Sequence, residues 1–271
     1  MAKATIGYRK LVIKIKSYIE CIDCIEGMKK ISDNSIDLTV TSPPYDDLRS
    51  YNSVVDFKEV IKELYRITKD GGVVVWNVND RIKDGSKSLT SFRQAIMFQE
   101  ARFNVNDVMI WRKTNPNPSV SQPRYNQCFE YMFVFSKGKP KTFNPIMVEC
   151  KSAGLEYKST AKQITKDKDR VYKEFTINDK KVADNIWEIA VAQNKTEHPA
   201  VFPEEIPYRH IKTWTNEGDI VLDPFLGSGT TCIVAKEMER KYIGFEIEEK
   251  YFKIAKDRLD KRYNLFDLDD E

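Results

Sequence analysis

No run in this sequence approaches the roughly 18 consecutive apolar residues that a membrane helix needs, and mean hydropathy is -0.53. Residues 1–16, MAKATIGYRKLVIKIK, scatter lysines among their apolar positions and so lack the uninterrupted core of a secretory signal. The two absences set the expectation of a cytoplasmic protein with no membrane partner. Cysteine is sparse: five residues, odd in number and irregularly spaced, do not make a disulfide framework. Cys21 and Cys24 form a C-x-x-C, but no second pair of ligands follows at zinc spacing, so the expectation is two reduced thiols near a strand end and no metal. Internal repeats and low-complexity segments are missing. Charge of one sign is also missing. The net charge is +3 and the pI about 8.4, which permits a nucleic-acid partner without demanding one.

What is present reads as one α/β domain. A chain of 271 residues suffices for one large domain with an inserted or appended lobe. Residues 36–41, IDLTVT, are an apolar, β-branched strand stopped by Pro43 and Pro44. Helical spacing follows over 57–68, then a buried strand over 73–77, a helix over 91–102, and strands over 105–111 and 130–136. Between the last two, TNPNPSVSQPRYNQ at 114–127 has loop composition. From 138 to 189 lysines are frequent, periodicity is weak and strong strands are not expected, so this stretch is read as an inserted lobe. A clean alternation then returns: strand 219–223, tight loop 224–229, helix 230–240, strand 241–245 and a final helix 248–262. The expected division is 1–137, 138–189 and 190–271.

Two motifs carry the chemistry. The first is D-P-F-L-G-S-G-T-T at 223–231, between a strand and a helix, with Glu246 about 20 positions past its glycines. That layout is how a doubly wound sheet binds a nucleoside. Gly227 and Gly229 let backbone approach a ligand, and the helix start near Thr230 can hold a carboxylate. Glu246 stands where it can accept ribose hydroxyls. No lysine follows the glycines, so a polyphosphate would lack its usual cation. A ligand with a ribose, a carboxylate and an ammonium fits better, with Asp223 facing the ammonium; S-adenosylmethionine has all three. The second motif is T-S-P-P-Y at 41–45. An exocyclic base nitrogen is a poor nucleophile because its lone pair is delocalised into the ring. The Ser42 hydroxyl and Pro43 carbonyl could accept its hydrogens, Pro43 and Pro44 fix the backbone, and Tyr45 could stack on a base rotated out of a duplex.

T-S-P-P-Y followed much later by D-P-F-x-G-S-G-T-T resembles the signature of bacterial amino-group DNA methyltransferases of the β arrangement, in which the catalytic half precedes the cofactor half. The likeness runs from about residue 21 to 258. Ile22-Asp23-Cys24 resembles the segment whose aspartate meets the cofactor adenine, with isoleucine where glycine is usual. His198-Pro199-Ala-Val-Phe202-Pro resembles the segment that walls the methionine end. Glu246 and Ile247 match the ribose and adenine contacts, and Thr41, Pro224, Phe225, Ser228 and Thr231 fall within the matched cofactor motifs. Trp111-x-Lys113 and the segment beginning at Phe129 match later stretches, although many relatives carry histidine at the Phe129 position.

The resemblance implies a Rossmann-like S-adenosylmethionine-dependent fold: a seven-stranded, mostly parallel sheet with one reversed strand and circularly permuted motif order. It makes 138–189 a target recognition insertion between the catalytic and cofactor halves. Lys158, Lys162, Lys166, Lys168 and Lys173, together with Arg49 and Arg124, then become candidate contacts to double-stranded DNA. S-P-P-Y usually accompanies cytosine N4 and D-P-P-Y adenine N6, so cytosine N4 is the expected target, with adenine N6 the alternative and an RNA amino group behind it. Cytosine C5 chemistry needs a nucleophilic cysteine, and no Pro-Cys occurs in the chain. Relatives commonly form homodimers, and some partner a restriction endonuclease; no residue pattern here decides either.

Overall fold

The computed structural model describes residues 16–44, 55–116, 123–164, 170–192 and 203–261, with the side chains of residue 83 and of 157–175 outside that description. In chain order the elements are β1 (Tyr18–Cys21), α1 (Cys24–Lys29), β2 (Ile36–Thr41), α2 (Phe57–Ile67), β3 (Thr68–Val78), β4 (Ile82–Lys83), β5 (Ser86–Lys87), α3 (Thr90–Glu100), β6 (Asn104–Lys113) and β7 (Phe129–Ser136). They continue as β8 (Met147–Glu149), β9 (Glu156–Ile164), β10 (Arg170–Thr176), β11 (Lys180–Val182), β12 (Ile186–Ile189), α4 (Glu205–Trp214), β13 (Ile220–Asp223), α5 (Thr230–Glu237), β14 (Lys241–Glu246) and α6 (Glu249–Lys261).

One sheet organises the rest, in the order β1-β14-β13-β2-β3-β7-β6-β12. Every neighbouring pair is parallel except the two made by β7, which alone runs backwards. Its central strands β2, β3, β7 and β13 are mostly buried along their length because both faces are covered. Alternate residues enter opposite cores: Val74, Trp76 and Val78 pack with Phe133 and Phe135 on one face, and Val73 and Val75 pack with Met132 and Val134 on the other. The first core is closed by Val60, Ile61, Leu64 and Ile67 of α2 and Phe98 of α3, the second by Ile206, Ile211 and Trp214 of α4. Asp23 and Asp56 start α1 and α2 by accepting two backbone N–H bonds each. Arg66 of α2 ties the two helices together, donating to the Met28 and Ile31 carbonyls at 2.8 Å each.

The lobe differs from its sequence expectation. Strands are present there: β8 pairs with β11 and β9 with β10, both antiparallel. They were not legible because EYKSTAKQI and RVYKEFT show no sustained apolar alternation, and their pairing is a matter of backbone bonds. The sheet also has eight strands instead of seven. The extra one, β12, lies inside the stretch read as insertion yet returns to the main sheet beside β6. Only Trp187 and Ile189 mark it, both buried, and Trp111 Nε1 donates to the Ile189 carbonyl at 2.9 Å.

A strand that belongs to the core behaves differently under truncation from one that belongs to a surface lobe. Trp187→Ala should lower unfolding free energy by about 3 kcal/mol, whereas Glu188→Ala, on the exposed side of the same strand, should change it by less than about 0.5 kcal/mol. Urea denaturation of the two variants checks this.

Candidate active site

β2 and β13 are neighbours, with Val221 opposite Leu38 and Leu222 opposite Thr39. The two motifs therefore emerge side by side at the carboxyl ends of parallel strands, where open α/β sheets bind ligands. A single bond joins them: Thr41 Oγ1 donates to Asp223 Oδ1 at 2.7 Å, between residues 182 positions apart. The same carboxylate oxygen accepts the Phe225 N–H at 3.1 Å. The Thr231 hydroxyl has one hydrogen and two acceptors, Asp223 and the Val40 carbonyl at 3.2 Å. Ser42 and Pro44 are half-buried and Pro43 is buried.

The loop after β13 depends on two left-handed residues, Gly227 at φ +53° and Gly229 at φ +85°. A Cβ on Gly229 would also lie 3.0 Å from Ala255 Cβ of α6. Gly227 N–H donates to Glu246 Oε2 at 2.8 Å, and Glu248 N–H to Glu246 Oε1 at 3.0 Å. The glycine loop and the end of β14 are thereby held around one buried carboxylate. β1 lies on the far side of β14, Cys21 opposite Glu246, so Asp23 comes to the same edge. Asp23 Oδ1 caps α1 through Ile25 and Glu26 N–H at 2.9 and 3.2 Å. Ile247 is 47 % exposed beside it. Cys24 is buried and its thiol pKa is pushed up to about 12, by burial first and by Asp23 next; such a thiol stays protonated and unreactive.

Several contributions were not anticipated from the sequence. Arg258 of α6 donates to the Ser228 carbonyl (2.6 Å), the Ser228 hydroxyl (3.0 Å) and the Thr230 hydroxyl (3.3 Å), and also reaches Glu204 (3.3 Å). The side chains of Ser228 and Thr230 are thus engaged from behind. Beyond β2, Asn77 donates to Glu130 at 2.8 Å and Lys113 pairs with Glu130 at 2.7 Å. This gives the W-x-K and F-E segments a shared buried charge pair. Arg124 donates to the Gly85 carbonyl at 2.7 Å, tying its loop to the β4–β5 hairpin. Lys158 and Lys162 are on β9 and Lys173 on β10. Tyr45, Arg49, Lys166, Lys168, His198, Pro199 and Phe202 lie outside the described residues.

Asp223 sets the electrostatics. Burial raises its pKa from 3.8 to about 6; hydrogen bonds from Thr41, Thr231 and Phe225 oppose the shift, and nearby Glu246 adds to it. A folded-state pKa above the unfolded one means that the folded protein holds the proton more tightly. The associated stability is complete below about pH 4 and is lost as pH rises through about 6. Asp223→Asn cannot ionise and should escape that loss. The unliganded variant should be more stable than the parent by about 3 kcal/mol at pH 8, with the difference vanishing near pH 4; denaturation at the two pH values measures it.

Comparison with known proteins agrees with this arrangement. The family described as DNA methylase, covering N6 and N4 enzymes, matches residues 36–257. The orphan methyltransferase M.BamHII of Bacillus amyloliquefaciens is 48% identical over 85% of this chain and 91% of its own length. Among solved structures, the PvuII cytosine-N4-specific DNA methyltransferase superposes with a TM-score of 0.66 at 21% identity, over 89% of this chain and 86% of that one. The M1.HpyAVI–SAM complex gives 0.60 at 26% identity, over 89% and 98%. The fold, the paired strand ends and the match over residues 36–257 lead to one assignment: this chain belongs to the DNA methylase family of N6 and N4 amino-group methyltransferases.

Proposed function

We propose that the chain methylates the N4 amino group of a cytosine rotated out of duplex DNA, with S-adenosylmethionine as donor. The observation that carries the reading is the Thr41–Asp223 bond, which sets the Ser42-Pro43-Pro44 exit of β2 against the glycine loop after β13. The residues around that loop suit the donor. Asp223 is a buried carboxylate with no cationic partner among the described residues, so an ammonium is a ligand that would relieve it. Glu246 accepts one backbone N–H on each oxygen, and because a carboxylate oxygen can accept more than one bond it can also take ribose hydroxyls. Asp23 uses Oδ1 for its cap and keeps Oδ2 for an adenine amino group, with Ile247 as the apolar wall. The open N-terminus of α5 suits the carboxylate. His198, Pro199 and Phe202 complete the methionine end in this reading.

When bound, S-adenosylmethionine supplies an electrophilic methyl on a sulfonium sulfur. The Ser42 hydroxyl and the Pro43 carbonyl accept hydrogen bonds from the target amino group and draw its lone pair out of conjugation with the ring. Once the nitrogen carries the methyl group, the Ser42 hydroxyl would relay the surplus amino proton, taking it up as it releases its own hydrogen to water. Tyr45 stacks on the flipped ring. Arg49 and the lysines of the lobe, Lys158 and Lys173 among them, meet phosphates and position the duplex. Cytosine is preferred over adenine because serine opens the S-P-P-Y element.

Nucleoside mass spectrometry of unmethylated mixed-sequence DNA incubated with the enzyme and the donor tests the assignment. N4-methylcytosine is the expected product. N6-methyladenine would keep the donor site and the acceptor chemistry but overturn the choice of base. Ser42→Ala should cut kcat by 10-fold or more while leaving donor affinity within about twofold, and Glu246→Ala should show the reverse emphasis, weakening donor binding by about 10- to 100-fold, the loss of one or two charge-assisted hydrogen bonds. Calorimetry and single-turnover kinetics separate the two effects.

A further inference from the structure

The main sheet is covered unevenly. At its β6–β12 margin, Met109 and Trp111 of β6 and Trp187 and Ile189 of β12 are buried in the second core, with α4. Side chains alternate along a strand, so Val108, Ile110 and Arg112, and Ile186 and Glu188, stand on the opposite face, the one that α3 shares. That face is bare. Val105, Val108 and Ile186, with Phe92 and Ile96 on the flank of α3, are each between 41 and 54 % exposed.

These side chains form one surface. Val105 lies opposite Phe135, Val108 opposite Phe133 and Ile110 opposite Tyr131 in the register of β6 with β7, and Ile186 lies opposite Ile110 in the register of β12 with β6. The Phe92 ring sits 5.2 Å from that of Tyr131 and 6.4 Å from that of Phe133. Ile96 is one turn further along α3. The apolar surface therefore runs without a break from α3 across β6 to β12. Its exposed area is on the order of 500 Å², the upper end of what the largest apolar patch on a monomer reaches and more than half of the roughly 800 Å² that each partner of a standard complex buries. Parallel sheets normally have both faces covered. No residue assigned above to donor, acceptor base or duplex lies in the patch.

We propose that this face docks against the same face of a second copy of the chain, as a two-fold symmetric dimer. In such a pairing each patch must complement itself, residue i meeting j and j meeting i. The rim has that property: Arg112 and Glu188 are register partners at the end of the patch, ion-paired and both more than half exposed. Within one copy such a pair is worth little. Across a two-fold axis the cation of one copy meets the anion of the other and the reverse, so the rim sets the orientation of the pair while the apolar centre supplies the driving force. The carboxyl-end cleft, where Thr41 and Asp223 meet, stays outside this interface.

Sedimentation velocity of the full chain at micromolar concentration should give a particle of twice the 31.6 kDa chain mass. Ile96→Lys and Ile186→Lys change exposed positions and should fold like the parent by circular dichroism, yet each should weaken self-association at least tenfold. Leu155→Lys, at an exposed apolar position on the lobe, should leave it unchanged. Arg112→Glu and Glu188→Arg should each loosen the dimer by placing like charges across the axis, and an equimolar mixture of the two should restore it as a heterodimer. The proposal falls if the parent sediments as a monomer, which would leave the face to a different protein. It falls equally if both lysine variants associate like the parent, if Leu155→Lys dissociates the dimer to the same extent, or if the two charge-reversed chains, each folded, do not pair with one another.

Discussion

The site depends on two parallel strand ends being bonded to each other. Parallel strands cannot be joined by a tight turn, so β2 and β13 come from distant parts of the chain and meet only when the sheet forms. The Thr41–Asp223 hydrogen bond is the local expression of that meeting. It lies in a buried place where an unmade bond would be costly. It also fixes the direction in which Ser42 leaves the sheet relative to the loop at Gly227. Chain order does not matter to this geometry, only strand order, which is why a permuted sequence can build it.

The same region carries unfavourable terms that other residues offset. A buried aspartate, a buried glutamate and two left-handed glycines are each costly in isolation. Gly227 N–H and Glu248 N–H satisfy Glu246, while Thr41 and Phe225 N–H satisfy part of Asp223. Arg258 braces the loop from behind through Ser228 and Thr230. The bracing comes from the last described helix, so the binding edge is assembled from both ends of the described chain. Stability is traded for a preorganised, charged concavity.

Much of this was legible in the sequence, for identifiable reasons. β2 was recognisable because IDLTVT is apolar on both faces and ends in two prolines; α2 because its apolar spacing is regular; the glycine loop because its residue types serve backbone geometry. The mostly parallel sheet, its single reversed strand and the neighbouring motifs follow the expected pattern, with β12 as an eighth strand beyond it. The β9–β10 hairpin escaped because its polar, lysine-rich strands show no apolar period. β12 escaped because four residues with two buried side chains are too short a signal. Arg258 escaped because one arginine on an amphipathic helix looks like any solvated charge. The charge pair of Lys113 and Glu130 was visible only as two separate stretches of family likeness.

The chain leaves the main sheet at the end of β7 and re-enters it at β12, and these strands lie on either side of β6. The intervening excursion is therefore tethered at both ends to one margin of the sheet, with the glycine loop at the other. Lengthening such an excursion changes its closure entropy only slowly. The architecture behaves like a handle with a separate head: the segment between β7 and β12 can change in length while the strands that carry Thr41, Asp223 and Glu246 stay as they are.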